Sequence, residues 1–540
     1  MKHVITGIGC VTAAGRGTGA LPSGLGGTAF SEQPPYEAEG LYAPRCGRVD
    51  VDRHRPAEAL LREAVTEALG QARFEGRLGL VVGTSSGNIC GPWERWHRAH
   101  LAGEPADEAG TWRQDPTRVL AEEVGAARHA TVSVACASGT AGFVLAQGWL
   151  SEGLVDGVLV CGVDALSLYV HAGFNGLGAL SKGLPRPFHA ERDGLLLGEG
   201  AAAVLVEADR HAWSRGCTAL AEVCGTGLSA DAVHVTAPDR EGRGAARAMS
   251  AALEDAGVSA GDVDLISVHG TGTAFNDAME AHALERVFGA RPLALFGVKQ
   301  AIGHTLGAAG AVEATVVVES LRTGDVPPAP DIDAELPVMA TRFPDTPRIA
   351  VSTNSAFGGA NAAAVFAAPG VVSLPERQPV QVGELARARV EVPEGKADWG
   401  WEDPPERFKR MNRYCRVVLC AMRELFEQVE PDESVGVVLA SESNCRATDL
   451  RYHEKLLRRG AAQAPRIEFI YTIPGAPSGE AAILWGLRGP SMVLCDPMSV
   501  GLDEAARMIR WGRASKLVVV GVEAPEPRGA AWAEAVFLSA

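Results

Sequence analysis

The sequence has few aromatic residues, no long apolar run and no excess of positive charge. Aromatic residues make up 6% of the 540 positions, and the formal net charge is −16 at pH 7. A chain this acidic is unsuited to nucleic acid as a main partner. No stretch reaches the roughly 18 apolar residues of a membrane span. We therefore expect neither nucleic-acid binding nor a membrane span, while a local basic patch for an acidic partner stays open.

We also expect no secretory signal, because residues 1–7 lead directly into a strand-like run. The chain has 11 cysteines, an odd number, and without a signal they indicate a reducing, cytoplasmic setting. Cys415 and Cys420 lack the spacing and flanks of a zinc pair, so we interpret them as helix residues.

The glycine motifs do not match cofactor-binding loops. Gly7-Ile8-Gly9 follows a strand-like run but lacks the third glycine and the helix of a dinucleotide loop. Gly270-Thr271-Gly272 lacks the Lys and Ser/Thr of a P-loop. Cys136, His269 and His304 have no short metal-site spacing. We therefore expect neither a cofactor nor a metal.

What the sequence does contain is an alternation of short apolar runs with longer Ala-, Leu- and Arg-rich stretches. Hydrophobic residues make up 46% of the chain, which is ample for a large core. The alternation predicts a layered α/β fold with an at least partly parallel sheet. We predict strands at 78–82, 158–161, 201–206, 265–268 and 349–352, and helices at 57–69, 140–150, 244–255 and 278–287.

The length and the composition predict more than one domain. The chain is long enough for roughly two to four domains. Near residue 369 the composition changes to Pro, Glu, Gln and Arg with little regular pattern. We assign residues 1–368 to a first unit, called the body, residues 369–404 to a linker, and residues 405–540 to a second α/β unit, called the tail.

The tail repeats part of the body. Residues 435–445 echo residues 78–88, and residues 517–524 echo residues 158–165, in the same order and at nearly the same separation. Two matches at one separation indicate a shared fold. The tail contains no counterpart to residues 166–368, so we expect it to be a half-fold.

Cys136 ends a buried-strand pattern and is followed by small residues and a helix-like run. A thiol at a helix N-terminus lies at the positive end of the helix dipole, which favours the thiolate. Most cysteines are nevertheless inert core residues, so this turn alone favours an unreactive thiol. Cys136 becomes a candidate nucleophile only together with two histidines later in the chain.

Those histidines and two charged residues stand out in otherwise apolar segments. His269 ends a predicted strand and enters a Gly/Thr turn, so it would lie at the carboxyl end of a sheet strand. A histidine satisfied by the turn backbone is the alternative. His304 lies between Lys299 and Glu313 in an apolar segment rich in small residues. Because an unpaired buried charge is costly, we expect this lysine and glutamate to pair or to serve a polar site.

Together these segments resemble the β-ketoacyl synthases of the thiolase superfamily. The matching motifs occur in the family's order over about residues 1–368, and the set is highly specific although no single motif is. The resemblance implies an α/β fold, namely a thiolase-like layered α-β-α-β-α fold with an extra thiolase-like half-fold in the tail. It also implies that the body consists of an N-terminal half, residues 1–250, and a C-terminal half, residues 251–368. The motifs are residues 4–9, 135–139, 187–200, 269–273, 299–313 and 354–359.

The resemblance implies a decarboxylative Claisen condensation on thioesters of acyl carrier protein. Cys136 would accept the acyl group. His269 and His304 would bind the malonyl thioester and stabilise the enolate formed on decarboxylation, while Lys299 and Glu313 would order the His304 side of the site.

The resemblance also implies how substrates are held. Backbone N–H groups of Cys136 and of the Phe357 region would form the oxyanion hole, and Phe357 would be the gate to the site. The expected substrate-binding residues are Thr271, Thr273, Phe357 and Gly358.

Two regions depart from the family pattern. The gate loop is one residue shorter than the common form and lacks a glycine before Phe357, so we expect its motion to differ. In the tail, counting back from Gly512 places Cys495 opposite Cys136, whereas counting forward from residues 489–491 places Met498 there. A cut within a packed helix would rotate its faces, which favours Cys495. The tail has no counterpart of the histidines or the lysine, so we do not expect it to be catalytic.

Several interpretations follow from these patterns. The leading one is an elongating ketosynthase of polyketide or specialised fatty-acyl biosynthesis, whose partners are acyl- and malonyl-loaded carrier proteins. The alternatives are a Cys-dependent acyltransferase or cyclase without decarboxylation, and a non-catalytic subunit resembling a chain-length factor. We expect a homodimer, or a pseudo-dimer in which the tail is an inactive partner that shapes the acyl tunnel. A remnant kept for stability is the alternative for the tail.

Overall fold

A computed structural model describes residues 2–21, 25, 27–105, 112–341, 343, 346–395, 399–525 and 529–540. The chain alternates strands and helices as the sequence predicts, and each predicted element lies within or overlaps an observed one. The strands are β1 His3–Thr12, β2 Gly15–Arg16, β3 Cys46–Gly47, β4 Leu78–Gly83, β5 Arg128–Val132, β6 Gly157–Asp164, β7 Leu197–Gly198, β8 Gly200–Ala208, β9 Ala221–Ala230, β10 Leu265–Ser267, β11 Leu295–Phe296, β12 Ile349–Ala356, β13 Ala360–Ala367, β14 Gly383–Val392, β15 Gly436–Ala440, β16 Ser491–Leu494, β17 Lys516–Glu523 and β18 Ala531–Ser539.

The helices cover both faces of the strands. They are α1 Pro56–Ala72, α2 Pro92–Ala102, α3 Asp115–Glu123, α4 Ser138–Ser151, α5 Leu168–Leu177, α6 Asp209–Ser214, α7 Arg243–Ala256, α8 Ala274–Phe288, α9 Lys299–Ile302, α10 Ala309–Thr323, α11 Arg413–Phe426, α12 Arg446–Arg459, α13 Arg466–Ile470, α14 Ala476–Trp485 and α15 Met498–Arg510. Among the described residues, no helix is long and apolar enough to cross a membrane.

Most strands belong to one mixed, 16-stranded sheet that runs through the body and the tail. β4 lies parallel between β5 and β6, and β15 lies parallel between β16 and β17, as the internal repeat predicts. The order is β11-β10-β12-β13-β9-β1-β8-β6-β4-β5-β16-β15-β17-β18-β14, with β2 paired to β1.

The body and the tail meet where β5 pairs antiparallel with β16. Val132 lies opposite Leu494. The ladder continues beyond this pair, because Ser133 N–H donates to Val493 O and Cys495 N–H donates to Thr131 O, both at 2.9 Å. Each β-α-β unit would otherwise expose an edge strand, and pairing the two edges satisfies their backbone groups. The tail is therefore an integral part of the sheet.

Helices α4 and α10 are buried between the layers of the fold and pack against each other. Every residue of α4 from Ser138 to Leu150 is buried, so the helix has no polar face. The two helices approach so closely that a Cβ on Gly139 would lie 2.6 Å from Ala311 N, and one on Gly310 would lie 2.5 Å from Thr140 N. The small residues of both sequences make this approach possible.

The segment 369–404, expected to be an irregular linker, contains a strand of ten residues. β14 pairs antiparallel with β18 along its length and forms one edge of the sheet. Its sequence alternates Glu and Arg with Ala and Val, and most of its side chains are exposed or half-buried. Charged edge strands resist pairing with other chains. Because these charges interrupt every apolar run, the sequence pattern did not predict this strand.

Candidate active site

Cys136 lies on a single turn of 3-10 helix, Ala135–Ala137, that leads from β5 into α4. Ala135 adopts a positive φ of 43°, which an L-residue without a compensating role rarely does. The turn brings Cys136 to the wall of a cavity of about 440 Å³. The side chain remains 8% exposed, so the thiol is buried but reachable from this cavity.

His304 lies beside Cys136 at the start of a similar turn. Its Nε2 is 3.0 Å from the thiol Sγ. The N–H of Leu306 donates to Nδ1 at 3.2 Å, and a backbone N–H can only donate. This bond assigns the proton of the neutral ring to Nε2. Leu306 has a positive φ of 52° in the 3-10 turn that leads into α10, so the turn resembles the one that carries Cys136.

His269 is oriented by an asparagine that the sequence analysis did not single out for a role. The amide Nδ2 of Asn354 lies 3.2 Å from Nδ1 of His269 and 2.8 Å from Oε2 of Glu313. Thr140 donates to the amide oxygen and so fixes which end of the amide faces the histidine. Because the amide nitrogen can only donate, Nδ1 of His269 accepts and Nε2 carries the proton. The two histidine rings lie edge to face with centroids 5.4 Å apart.

Lys299 and Glu313 form an ion pair with each other, which is one of the two arrangements expected from the sequence. Nζ lies 2.5 Å from Oε1, and both side chains are at least 98% buried. Burial first, and the Lys299 charge second, hold the pKa of His269 and of His304 well below the usual value. Both imidazoles are therefore neutral near pH 7, and both present an Nε2–H.

The thiol itself is not a ready-made thiolate. Burial raises the pKa of Cys136 to about 12, the Lys299 charge acts in the opposite direction, and the Asp164 carboxylate adds to the rise. The expected helix-dipole effect at α4 and the Nε2–H of His304 stabilise the anion. The site thus holds a protonated thiol whose ionisation these groups assist.

Carboxylates of α8 hold the loop that carries His269. Glu280 accepts from the N–H groups of His269 and Gly270 at 2.6 and 2.8 Å. Asp277 accepts from the N–H of Thr271 at 3.1 Å. The hydroxyls of Thr271 and Thr273 lie 2.9 Å apart, and both residues line the cavity that contains Cys136. Thr271 and Thr273, which we expect to bind substrate, thus lie on the wall of the cavity that contains Cys136.

The gate loop places its residues in different surroundings. Phe357 lines the cavity and stacks on Phe174, with centroids 5.8 Å apart and planes 19° apart. Gly358 is not among the lining residues. Its N–H donates to Val235 O at 2.7 Å, and its backbone packs against the start of α14, where a Cβ on Gly479 would lie 2.6 Å from Gly358 O. Gly358 thus contacts the tail.

A second, smaller cavity of about 60 Å³ extends from Cys136 to the tail. Body residues form one wall, including Phe174 and Arg113, and the far wall belongs to the tail. The tail residues are Phe469, Thr472, Ile473 and Pro474. The tail therefore supplies the far wall of this small cavity, whereas the larger cavity at Cys136 is lined by body residues.

The tail's own copy of the nucleophile turn has lost three residues. Gly501 of α15 packs against Val438 and Val519 as Gly142 of α4 packs against Val81 and Val160. Cys495 lies six positions before Gly501, as Cys136 does before Gly142. The helix registers therefore support the alignment that places Cys495 opposite Cys136. The three residues that the tail lacks are missing from the turn before the helix. Cys495 directly follows β16 and is buried.

Asn354, Asp277 and Glu280 are the site residues that sequence reasoning missed. All three are fully or nearly fully buried, and buried polar side chains need partners. Asn354 was visible within the 354–359 motif as an amide in a strand of small residues. Its role depended on which side chains lay opposite it, and the sequence does not contain that information.

Comparison with known proteins agrees with the geometry. The family description "Beta-ketoacyl synthase, N-terminal domain" matches residues 42–212 and again 386–535, and "Beta-ketoacyl synthase, C-terminal domain" matches residues 220–333. "Nodulation protein E" of Rhizobium meliloti is 36% identical over 329 residues, which cover 56% of this chain and 80% of that protein.

Solved structures extend the likeness. "The ishigamide ketosynthase/chain length factor" is 30% identical with a TM-score of 0.61, covering 68% of this chain and 99% of the other. "PfaC Keto synthase-Chain length factor" is 16% identical with a TM-score of 0.78, and it covers 100% of this chain and 78% of the other. This last likeness shows that the thiolase-like fold continues through the tail. With a buried cysteine and two neutral histidines on a thiolase-like scaffold, and with both family domains matched, the chain belongs to the β-ketoacyl synthase family.

Proposed function

We propose that this β-ketoacyl synthase joins an acyl group on Cys136 to a malonyl unit by decarboxylative condensation, with both substrates delivered as carrier-protein thioesters. The observation that carries the proposal is the pair of Nε2–H groups, on His269 and His304, that border one cavity with Cys136. Two neutral donors at one place suit an oxygen that gains negative charge during the reaction.

Loading comes first. Sγ of Cys136 attacks the carbonyl carbon of the acyl thioester, the new C–S bond forms, and the carrier thiol leaves with the proton. The oxyanion needs two N–H donors. The N–H groups of Gly358 and Gly359 already donate to Val235 and Ala356. This leaves the N–H of Phe357 as the loop's candidate donor, together with that of Cys136.

Decarboxylation follows on the malonyl thioester. The bond between the α-carbon and the carboxylate breaks, carbon dioxide leaves, and the electron pair is delocalised onto the thioester oxygen. The Nε2–H groups of His269 and His304 stabilise that enolate. The Lys299 charge favours the anion and keeps both rings neutral, while Asn354 holds His269 in the donor tautomer.

Condensation completes the cycle. The α-carbon attacks the acyl carbonyl on Cys136, the C–C bond forms, and the thiolate leaves as a β-ketoacyl product departs on its carrier. The released thiolate meets the His304 Nε2–H and the N-terminus of α4, which favour its departure.

The tail's proposed role is that of an inactive partner that bounds the acyl pocket. The tail walls the cavity beside Cys136, it shares the sheet through β5 and β16, and its own nucleophile turn is shortened. The chain is also similar to proteins described as a ketosynthase with a chain-length factor, which supports a ketosynthase body with a partner-like tail. The fused tail favours polyketide or specialised fatty-acyl synthesis as the setting.

The test offers acyl-loaded and malonyl-loaded carrier proteins and follows Cys136 acylation by intact mass and carbon dioxide release in parallel. We expect acylation, then release and a β-ketoacyl product, and loss of acylation in Cys136→Ala. Acylation without carbon dioxide release would favour the acyltransferase or cyclase alternative. Acylation that persists in Cys136→Ala would overturn the assignment of the nucleophile.

A further inference from the structure

A third cavity, of about 550 Å³, lies between the body and the tail and shares no lining residue with the two cavities at Cys136. The body contributes His3, α4 and the end of α7. The segment 374–377 forms another part of the wall, and the residues after α15 complete it. The cavity therefore has no part in the condensation described above.

The most unusual wall residue is Arg513. Its side chain is only 9% exposed, and its Nε lies 3.7 Å from Oδ2 of Asp255. Among the described residues that Nε has no hydrogen-bond partner, and Nη2 donates to Oε1 of Gln147 at 3.1 Å. A buried guanidinium needs a close, well-aligned anion to offset its desolvation. In the part of the chain that the structure describes, no such anion lies within hydrogen-bonding distance of this Nε.

The nearby carboxylate is already engaged. Asp255 pairs with Arg377 at 2.7 Å, and its Oδ2 accepts from the N–H of Thr226 at 2.8 Å. One buried carboxylate thus faces two guanidinium groups. Glu376 also lines the cavity, but it lies at the rim and is exposed to solvent. The inner part of the cavity therefore has a deficit of negative charge.

Two further polar groups at this wall have no partner within the described ranges of the chain. They are Nε1 of Trp511 and Nδ1 of His3, which are buried and make no hydrogen bond to any described residue. The indole N–H can only donate. His3 is 5% exposed, and its Nε2 lies 3.4 Å from Oγ of Ser151. Two unpartnered N–H donors, Nε of Arg513 and Nε1 of Trp511, at one roomy cavity are the arrangement that an oxyanion would satisfy.

We propose that this cavity binds the phosphate group of a small molecule, with Arg513 as its principal ligand and Trp511 Nε1–H as a second donor. The planar guanidinium suits a tetrahedral oxyanion, because it can donate two parallel N–H bonds. The volume exceeds what free phosphate needs, so the site has room for the rest of a phosphate ester. Because His3 belongs to the body and Arg513 and Trp511 to the tail, an occupant bridges the two units and stabilises their packing.

The test measures thermal unfolding of the full chain against inorganic phosphate, against glycerol 3-phosphate, and against sodium chloride at matched ionic strength. A ligand that binds the folded state raises its stability in a saturable way. We expect a saturable rise in Tm of about 1–3 °C with phosphate or the ester beyond that with chloride. A larger shift with the ester at equal concentration would identify an organic phosphate as the occupant.

Two variants decide where the anion binds. Arg513→Gln is expected to abolish the saturable shift. Arg510→Gln is the matched control, because Arg510 belongs to the same helix end, pairs with Glu152 and does not line the cavity. Trp511→Phe keeps an aromatic ring and removes one donor, so it should weaken binding severalfold. It serves as the second test in case Arg513→Gln does not fold.

Equal Tm curves in phosphate and chloride would overturn the proposal and leave a water-filled cavity. A shift that survives in a folded Arg513→Gln protein, or that is unaltered in Trp511→Phe when Arg513→Gln does not fold, would place the anion elsewhere. The experiment involves neither Cys136 nor carrier substrates, so its outcome is independent of the proposed condensation.

Discussion

Arg113 of the body and Asp449 of the tail form a bidentate ion pair, with Nη1 2.6 Å and Nη2 3.2 Å from the two carboxylate oxygens. Both side chains are at least 98% buried. Tyr169 donates to the same carboxylate at 2.8 Å, and Arg113 also donates to Thr472 O at 2.9 Å. Arg113 lines the small cavity at Cys136, so this pair ties the tail to the proposed acyl pocket.

Breaking this pair on one side should loosen the tail strongly. Asp449→Asn keeps the shape but leaves the Arg113 charge buried without a counter-charge, which costs about 3–5 kcal/mol. We expect a clearly lower urea midpoint. In a double-mutant cycle built on the single variants Arg113→Met and Asp449→Leu, the double variant should recover much of the loss, because neither variant side chain is charged. Additive losses in the double variant would mean that the two residues are not coupled.

Removing the Asn354 amide should slow decarboxylation more than loading. Asn354→Ala takes away the bond that keeps His269 in the donor tautomer, while Cys136 and His304 keep their contact. We expect a fall in kcat for carbon dioxide release of about 10²-fold or more, as for other groups that fix a histidine tautomer or an oxyanion donor. The KM for malonyl carrier protein should change less. Equal losses in acylation and in decarboxylation would argue for a purely structural role.

Truncating a tail side chain that lines the pocket should allow the enzyme to accept longer acyl groups. Phe469→Ala removes a ring that lines the small cavity and contacts Phe174, with centroids 5.7 Å apart. We expect longer acyl groups to load Cys136 in competition assays read by intact mass. Phe408→Ala is the matched control, because that residue is a buried tail phenylalanine outside the cavity. An unchanged preference in Phe469→Ala would count against the tail as a wall of the acyl pocket.

Acid should weaken the contact between body and tail through a histidine pair. His97 and His453 share a hydrogen bond of 2.9 Å between their Nδ1 atoms, and both are buried. Burial, followed by neighbouring histidines, lowers the pKa of His97 to about 4 and of His453 to about 3.

The sign follows from the proton balance of folding. Between about pH 6.5 and 4 the unfolded chain binds protons at these histidines and the folded chain does not, so stability falls as pH falls, by about 1.4 kcal/mol per pH unit for each histidine. Above that range their contribution is constant. His97→Asn, which retains a polar group near the Nδ1 position, should reduce the pH slope of unfolding by about one proton. An identical slope in this variant would contradict the pKa assignment.

The contact between α4 and α10 should not tolerate a single added methyl group. Gly139→Ala would place a Cβ 2.6 Å from Ala311 N, and forced overpacking typically costs about 1–3 kcal/mol. Gly70→Ala in the exposed part of α1 meets nothing within 4 Å and should stabilise by about 0.5–1 kcal/mol. Thermal unfolding of the two variants gives the comparison, and a stable Gly139→Ala protein would show that the helices can separate.

Much of this architecture follows from local pattern. Strands such as β4 and β6 are continuous apolar runs because both of their faces are covered, and helices such as α7 carry a regular apolar face. These signals need only neighbours along the chain. Strand β14 was not predicted, because an exposed edge strand has no continuous apolar run.

The sequence by itself determined the fold class, the internal repeat and the residues able to perform the chemistry, because each depends on residue type and spacing along the chain. Only the tertiary structure decided that Asn354 orients His269, that burial keeps Cys136 protonated, and that the tail closes the pocket beside it. Those properties depend on which groups meet from distant parts of the chain, such as Asn354 and His269, which are 85 residues apart. They also depend on how much water these groups exclude, and a linear sequence specifies neither directly.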